Sequence, residues 1–416
     1  MKILMVVAYF VPEIGSAAHV YFDLAKAFVN RGHNVDVITS YPRKFNLNKS
    51  DREKNFPMDE NIDGINVHRC KHSAVRDTLF LRGLEHFTLP RIYFKRYKKL
   101  NKKFDVGLIY IPPLPLYYFA RMIKRYDGTP FVLNFQDFHP QELIDVGIMK
   151  NKAMIKLMEY IERKAYKNAD FITVLSNGGI KYVTNRGGDP AKIRHIYNGV
   201  ILSEIDKYLV KRDFKGREGI DDKFLITYAG ILSPFQGVEN ILEVAKILKK
   251  EENIIFYIVG DGMIRKKLEE RIEKENITNV KLLPFQPREE YFNIINSSDI
   301  SIVSLDIRMK APCLPGKLVN LMAAKQPIIA LVPEDSETAY VINKANCGIV
   351  VSPSNINKFA DAIMKLKTNE KLRKELGGNG RKFLQENMNL EKNAMAYEKI
   401  FEKLIEEKHE KDCNIT

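Results

Sequence analysis

The 416-residue chain is informative first in what it lacks. No apolar run approaches the roughly 20 residues of a membrane-spanning helix. Low-complexity tracts are absent, so disorder is expected only in the last few residues. The four cysteines, Cys70, Cys313, Cys347 and Cys413, are scattered, without a CxxC pair or metal-like clustering. That argues against a disulfide scaffold and a zinc site, and fits a reducing compartment. No G-x-G-x-x-G follows a candidate strand, so a dinucleotide site is not supported. Neither an RNP, a helix-turn-helix nor a zinc pattern is found, which argues against nucleic acid as a partner.

The first apolar run, Ile3 to Val11, is brief and is interrupted by Pro12 and Glu13. A second strand, Val35 to Thr39, needs it as a sheet neighbour. It is therefore read as a buried first strand rather than a signal peptide, and the protein as cytoplasmic.

Charge is unevenly placed. Residues 1–215 hold 36 Lys+Arg and 22 Asp+Glu, a balance of +14, whereas residues 216–416 hold 30 of each, a balance of zero. The basic excess of the first half points to a polyanionic or membrane-surface partner. It peaks where no acidic residue lies between Glu85 and Asp105. Across residues 79–103, Phe80, Leu81, Leu84, Phe87, Leu89, Ile92, Tyr93, Phe94, Tyr97 and Leu100 are interleaved with Arg82, Arg91, Lys95, Arg96, Lys98, Lys99, Lys102 and Lys103. With Pro90 starting a helix, the spacing puts Ile92, Tyr93, Tyr97 and Leu100 near one face and the cations on the rest. That is the pattern of a helix lying on an anionic bilayer. The same pattern fits an apolar face packed on the first domain with solvated lysines around it.

Apolar strands alternate with helical patterns along the whole chain. Strands are expected at Ile3–Ala8, Val35–Thr39, Ile65–Cys70, Val106–Ile111, Phe131–Phe135, Asp170–Leu175 and Ile193–Tyr197. After a charged linker, roughly Ser203 to Asp222, they resume at Phe224–Ala229, Ile254–Val259, Val280–Leu283, Ile300–Val303, Ile328–Val332 and Gly348–Val351. This is an α/β protein with two Rossmann-like domains, at residues 1–205 and 218–385. Terminal helices over 386–416 are expected to cross back to the N-terminal domain.

One segment looks built to hold a phosphate: Cys313-Leu314-Pro315-Gly316-Lys317-Leu318-Val319-Asn320. Pro315 and Gly316 precede a helix of about three turns whose first N–H groups, with the Lys317 charge, suit an anion. A solvated helix-start lysine is the plain alternative. Asp137 and His139 follow a strand end, where open α/β sheets place ligands. They could orient an acceptor hydroxyl or take its proton, or be an ordinary cap and a surface histidine.

Taken in order, Pro12-Glu13-Ile14-Gly15, Arg31-Gly32-His33, Asp170 to Ser176, Ile196-Tyr197-Asn198-Gly199-Val200, Tyr228-Ala229-Gly230, Val259-Gly260-Asp261-Gly262 and Met322-Ala323-Ala324 carry a family resemblance. From Met1 to about Glu407 the chain resembles the family 4 retaining glycosyltransferases of GT-B architecture. Members that build surface polysaccharides are most similar. The resemblance implies an active site in the cleft between the domains. It also implies donor contacts at Gly15, Ser16, Gly230, Gln236, Gly237, Gly260, Phe285, Pro315, Gly316, Lys317, Leu318 and Asn320, with Asp137 and His139 on the acceptor side. No cofactor or metal is implied. Two departures stand out. Ile231 and Gln236 occupy places where most members carry Arg and Lys, and Pro312 and Asn320 replace two glutamates. An amide at 320 can still bond ribose hydroxyls, but without charge assistance.

The expected activity is retaining transfer of a hexosyl or N-acetylhexosaminyl group from a nucleotide-diphosphate sugar, UDP favoured over GDP. The acceptor is a saccharide or a lipid-phosphate-linked one, in cell-surface polysaccharide or glycolipid assembly. Residues 80–103 would dock at the inner face of the cell membrane. The alternatives are a GT-B nucleotide-sugar epimerase and a weakened nucleotide-sugar or membrane-surface binding protein.

Overall fold

In the computed structural model of the chain, residues 1–13, 15–43, 47, 51–71 and 79–413 are described, without the side chains of Ser16 and of 79–84. Chain contacts divide it into two units. One joins Met1–Gln141, Met149–Asn198 and Leu390–Thr416; the other joins Glu142–Ile148 and Gly199–Asn389. The division after Asn198 falls earlier than the expected 205. Residues 142–148 group with the second unit because the Asp145 carboxylate accepts from the Lys310 and Ala311 N–H groups at 2.7 and 3.0 Å.

The first unit holds β1 (Lys2–Val6), β2 (Asn34–Ser40), β3 (Asp59–Ile62), β4 (Ile65–Cys70), β5 (Val106–Ile111), β6 (Phe131–Phe135), β7 (Phe171–Val174) and β8 (Ile193–His195). Their order is β3-β4-β2-β1-β5-β6-β7-β8. All pairs are parallel except β3 with β4. Helical crossovers cover both faces of a parallel sheet, so its strands read as continuous apolar runs; β5 and β6 are buried throughout. The sequence reading missed β3, whose Asp-Glu-Asn-Ile is too polar to show a strand pattern. Its signal was Asp63-Gly64, a two-residue hairpin turn with φ of +51° and +85°.

The basic aromatic segment differs from expectation. Pro90 does not start a helix but lies inside one, Leu79–Leu100. An interior proline costs about 3 kcal/mol, and burial on either side of it offsets that cost. Leu89 and Tyr93 are fully buried and Tyr97 nearly so. The Tyr93 hydroxyl lies 2.8 Å from Ser40 Oγ, on β2. Among the described residues, Leu89, Tyr93 and Tyr97 thus turn to the unit's own core rather than outward, while Ile92 and Leu100 are half-buried. Arg96 pairs with Asp59, and Lys102 with Asp36 at 2.7 Å. Arg91, Lys95, Lys98, Lys99 and Lys103 remain exposed. The contributions of Phe80, Leu81 and Leu84 lie outside the described residues. Among the described residues no helix is long and apolar enough to cross a membrane.

The second unit holds β9 (Phe224–Ala229), β10 (Ile254–Val259), β11 (Val280–Leu283), β12 (Ile300–Ser304), β13 (Ile328–Leu331) and β14 (Gly348–Val351). They form a parallel sheet in the order β11-β10-β9-β12-β13-β14. Ile226, Phe256, Ile258, Ile302 and Phe359 centre its core. The expected linker contains two short helices, Leu202–Tyr208 and Phe214–Glu218. Phe214 fixes the second by packing edge-on against Tyr257, 5.2 Å between centroids.

The last helix, Leu390–Cys413, belongs to the first unit. It is held there by polar contacts that hydropathy does not show. The Tyr397 hydroxyl accepts from Asn134 Nδ2 at 2.9 Å, and Glu398 takes a two-pronged bond from Arg31 at 2.5 and 2.7 Å.

Candidate active site

In a doubly wound sheet, ligands bind beyond the carboxyl ends of the strands where the order reverses. In the second unit the first strand, β9, lies between β10 and β12, so the reversal is at β9 and β12. Chain geometry concentrates the expected donor residues there. Gly230 directly follows β9. A Cβ on it would lie 3.0 Å from Lys317 Nζ, so its bare backbone admits the lysine. That ammonium sits 3.7 Å from the centroid of the Tyr228 ring. It is shielded from solvent and has no hydrogen-bond partner among the described residues. Burial pushes its pKa down to about 7, because a charge without a counter-ion is penalised in a poorly solvated place.

The floor of this site is rigidly braced. The Tyr228 hydroxyl donates to the Ile231 carbonyl at 2.9 Å, with Gln236 Oε1 at 3.4 Å. Ser304 Oγ bonds the Gln236 carbonyl and Asp306 N–H the Phe235 carbonyl, which tie the 230–237 loop to the end of β12. Gly237, with φ +55°, closes that loop in a conformation costly for other residues. Gly260 is held more tightly still, since a Cβ there would fall 1.9 Å from the Gly230 carbonyl oxygen. Arg265 Nη1 donates to the Gly260 and Leu283 carbonyls at 2.7 and 3.1 Å, joining the ends of β10 and β11. Phe285, just beyond β11, is 40% exposed and Ile231 is 53% exposed; neither is core.

The Pro-Gly-Lys segment differs in detail from the expectation. Its helix is Lys317–Ala323, seven residues and so about two turns rather than three. The Leu318 N–H is already bonded to the Pro315 carbonyl at 3.0 Å, so it is not an open anion donor. Gly316 itself has helical angles. The feature that survives is the Lys317 side chain. Asn320 lies one turn on, half-buried, beside the Tyr291 phenol. Tyr228 and Tyr291 were not singled out from sequence. Tyr228 lay inside a recognised motif, but an aromatic in a buried strand carries no sign that its face holds a cation.

In the first unit, Asp137 and His139 follow β6 and are half-buried. Between them Phe138 is buried against Phe135 and Tyr182, at 6.2 and 4.7 Å between centroids. Just before them, Gln136 and Asn198 exchange two side-chain hydrogen bonds at 2.7 and 3.0 Å. Burial raises the Asp137 carboxyl to about 6 and lowers the His139 imidazole to about 4. Near pH 7 the pair is therefore a carboxylate and a neutral imidazole. Gly15 precedes the helix Ser16–Asn30, bonding back from His19 N–H at 3.3 Å; the Ser16 side chain and Ile14 lie outside the described residues.

Residues 210–383 match the family described as Glycosyl transferases group 1, and residues 15–199 match a Glycosyl transferase 4-like domain. The chain is a family 4-type glycosyltransferase. An uncharacterized glycosyltransferase of Methanocaldococcus jannaschii is 24% identical, over 97% of this chain and 99% of its own. The putative colanic acid biosynthesis glycosyl transferase WcaI of Escherichia coli is 22% identical, over 78% of this chain and 81% of its own. Among solved structures, Anabaena HepE in complex with UDP and glucose shares the fold, with a TM-score of 0.72, 15% identity, and 97% and 100% coverage of the two chains. The two parallel-sheet units are thus those of a GT-B glycosyltransferase.

Proposed function

We propose that this glycosyltransferase moves a hexosyl or N-acetylhexosaminyl group from a UDP-sugar to a growing surface polysaccharide or a lipid-phosphate-linked saccharide, with retention. The observation that carries the donor side is the Lys317 ammonium, buried beside Gly230 without an acceptor. An unpaired buried charge is destabilising by itself, and a donor diphosphate would supply the missing anion. In the reaction the C1–O bond to the β-phosphate breaks and its electron pair leaves on the phosphate oxygen. The acceptor oxygen bonds C1 and loses its proton. Lys317 would stabilise the charge developing on the leaving group, and this reading invokes no metal or cofactor. Asp137, ionised above about pH 6, is the better candidate to receive the proton, because an imidazole lowered to about 4 is a weak base. UDP in the HepE complex and the colanic acid role in WcaI's name support the substrate class.

The test is UDP binding and UDP-sugar turnover by the whole chain. Lys317→Ala should weaken UDP binding by about 1.5–3 kcal/mol, the range of one charge-assisted contact, in a protein that still folds. Unchanged affinity would remove Lys317 from the donor site. Release of UDP without any acceptor would favour an epimerase instead.

The exposed Arg91, Lys95, Lys98, Lys99 and Lys103 favour a peripheral place at an anionic membrane for the acceptor side. With Leu89, Tyr93 and Tyr97 buried, attraction would be mainly electrostatic, about 1 kcal/mol for each basic residue near the surface. Co-sedimentation with anionic liposomes should then occur at low salt and vanish at high salt. No sedimentation at low salt leaves a soluble acceptor.

A further inference from the structure

Two buried polar atoms of the second unit lack hydrogen-bond partners among the described residues and border the same short helix. One is Lys317 Nζ and the other is Tyr291 Oη. Tyr291 comes from a different element, the helix Arg288–Ser297 that follows β11. Its phenol oxygen is sealed from solvent, and its pKa is raised to about 12 by burial, opposed by a hydrogen-bonding interaction with the neighbouring Asn320 side chain and by the Arg288 charge. That interaction falls short of full hydrogen-bond geometry. Leaving a buried hydroxyl unbonded is costly, and native proteins rarely do so without a ligand or water to complete it.

The spacing gives this orphan a meaning. Lys317 and Asn320 are three residues apart, hence neighbours on one helix face, about 5–6 Å between their Cβ atoms. An anion-seeking ammonium therefore stands one helical turn from an amide with a phenol beside it. A ligand that satisfies both ends has a negative group and, a few ångströms on, neutral hydroxyls. A nucleoside diphosphate has that layout, with ribose hydroxyls one short span from the diphosphate. The amide can donate and accept, while the phenol remains protonated at any working pH and can donate. Asn320 alone offers no charge-assisted grip, and a second neutral donor makes up part of the difference.

Building on the donor reading above, we infer that Tyr291 is a donor-recognition residue whose phenol hydroxyl, with the Asn320 amide, binds a ribose hydroxyl. The experiment measures binding of UDP, 2′,3′-dideoxy-UDP and inorganic pyrophosphate by titration calorimetry to wild type, Tyr291→Phe and Lys317→Ala, with thermal melts as a folding control. Wild type should prefer UDP to the dideoxy analogue. Tyr291→Phe should weaken UDP about tenfold, the worth of one good buried hydrogen bond, with the dideoxy analogue and pyrophosphate unchanged. Lys317→Ala should instead weaken all three.

Equal losses for all three ligands in Tyr291→Phe would show a merely structural role and overturn the proposal. So would an undiminished preference for UDP over its dideoxy analogue in that variant. Should the variant fail to fold, wild type alone still decides, because indifference to the ribose hydroxyls overturns the assignment. If wild type binds pyrophosphate and UDP equally well, the anion site stands and the ribose seat fails. If it binds neither, the donor reading itself fails.

Discussion

Lys317 Nζ lies over the face of Tyr228, 3.7 Å from the ring centre, and this is the only partner the structure gives it among the described residues. A cation–π contact compensates desolvation only in part, and the ammonium consequently titrates near 7. An unfolded lysine titrates at about 10.4. Between those values the unfolded chain holds a proton that the folded chain has lost, so stability of the unliganded protein rises with pH across that window. Below pH 7 the folded state bears the full burden of a buried charge.

Lys317→Met should therefore raise the melting temperature of the unliganded protein most at pH 6 and least near pH 10, while weakening UDP binding as Lys317→Ala should. Wild-type UDP affinity should fall as pH rises above 7, with proton uptake on binding at pH 8 and little at pH 6. Calorimetry in two buffers of different ionisation enthalpy reads that uptake directly. Affinity independent of pH from 6 to 9 would show that the ammonium is not the group that meets the diphosphate.

Asp137 gives a second pH signature. Burial holds its carboxyl at about 6, above the ordinary value of about 3.9. Its contribution to stability is fully present below pH 3.9 and is lost as pH rises through 6. If Asp137 receives the acceptor's proton, kcat should show an acid limb near pH 6. Asp137→Asn should lower kcat about 10²- to 10⁴-fold, with the KM for the UDP-sugar little changed and the melting temperature at pH 7 raised. An intact acid limb in the variant assigns that limb to another group.

Much of the fold was legible in its apolar strand runs; β4, β5, β6, β9, β10, β11 and β14 begin and end where the sequence placed them, although β11 and β14, at the sheet edges, are only partly buried. What stayed hidden depended on contacts far apart in sequence. Pro90 reads as a helix start unless Leu89, Tyr93 and Tyr97 are known to be buried together. The polar strand β3 exists only as the partner of β4. At the site, Lys317 and Asn320 are visible as residue types in a motif, whereas Tyr228 and Tyr291 become meaningful only when their atoms are seen beside those two. The open role of the Leu318 N–H was an error of local geometry, since the first turn closes on Pro315.

Gly260 tests how closely the donor loops must approach. A methyl group there would lie 1.9 Å from the Gly230 carbonyl oxygen, backbone that cannot swing aside as a side chain could. Gly260→Ala should destabilise the protein by at least about 1–3 kcal/mol, as overpacking does. It should also weaken UDP binding, because relief displaces the Gly230 backbone that borders Lys317. Urea unfolding and calorimetry together check this. A variant as stable as wild type would mean that the 230 and 260 loops do not touch as described.

The terminal helix offers a prediction that leaves the site alone. Glu398 takes bonds from Arg31 at 2.5 and 2.7 Å and lies 2.7 Å from His33 Nε2, while His33 Nδ1 is 3.1 Å from the amino terminus. The segment that follows the first helix and the last helix thus meet at one carboxylate, and His33 links it on to Met1. The Arg31 hydrogen bond lowers the Glu398 pKa most; burial opposes it, and His33 adds to the lowering. Because the folded value is below the unfolded one of about 4.3, the stabilisation is present above that pH. It is lost as pH falls through the lowered folded value. Arg31 is 35% exposed at its side chain and Glu398 11%, so the pair is only partly desolvated. Glu398→Gln should cost about 1–3 kcal/mol, the range for losing a charged hydrogen-bond partner. It should flatten the fall in stability below pH 4, and leave UDP affinity unchanged because the residue belongs to the other unit. Amide hydrogen exchange should show faster opening across residues 390–413 in the variant. Protection there equal to wild type would mean that Tyr397 and the apolar face of the helix hold it without the carboxylate.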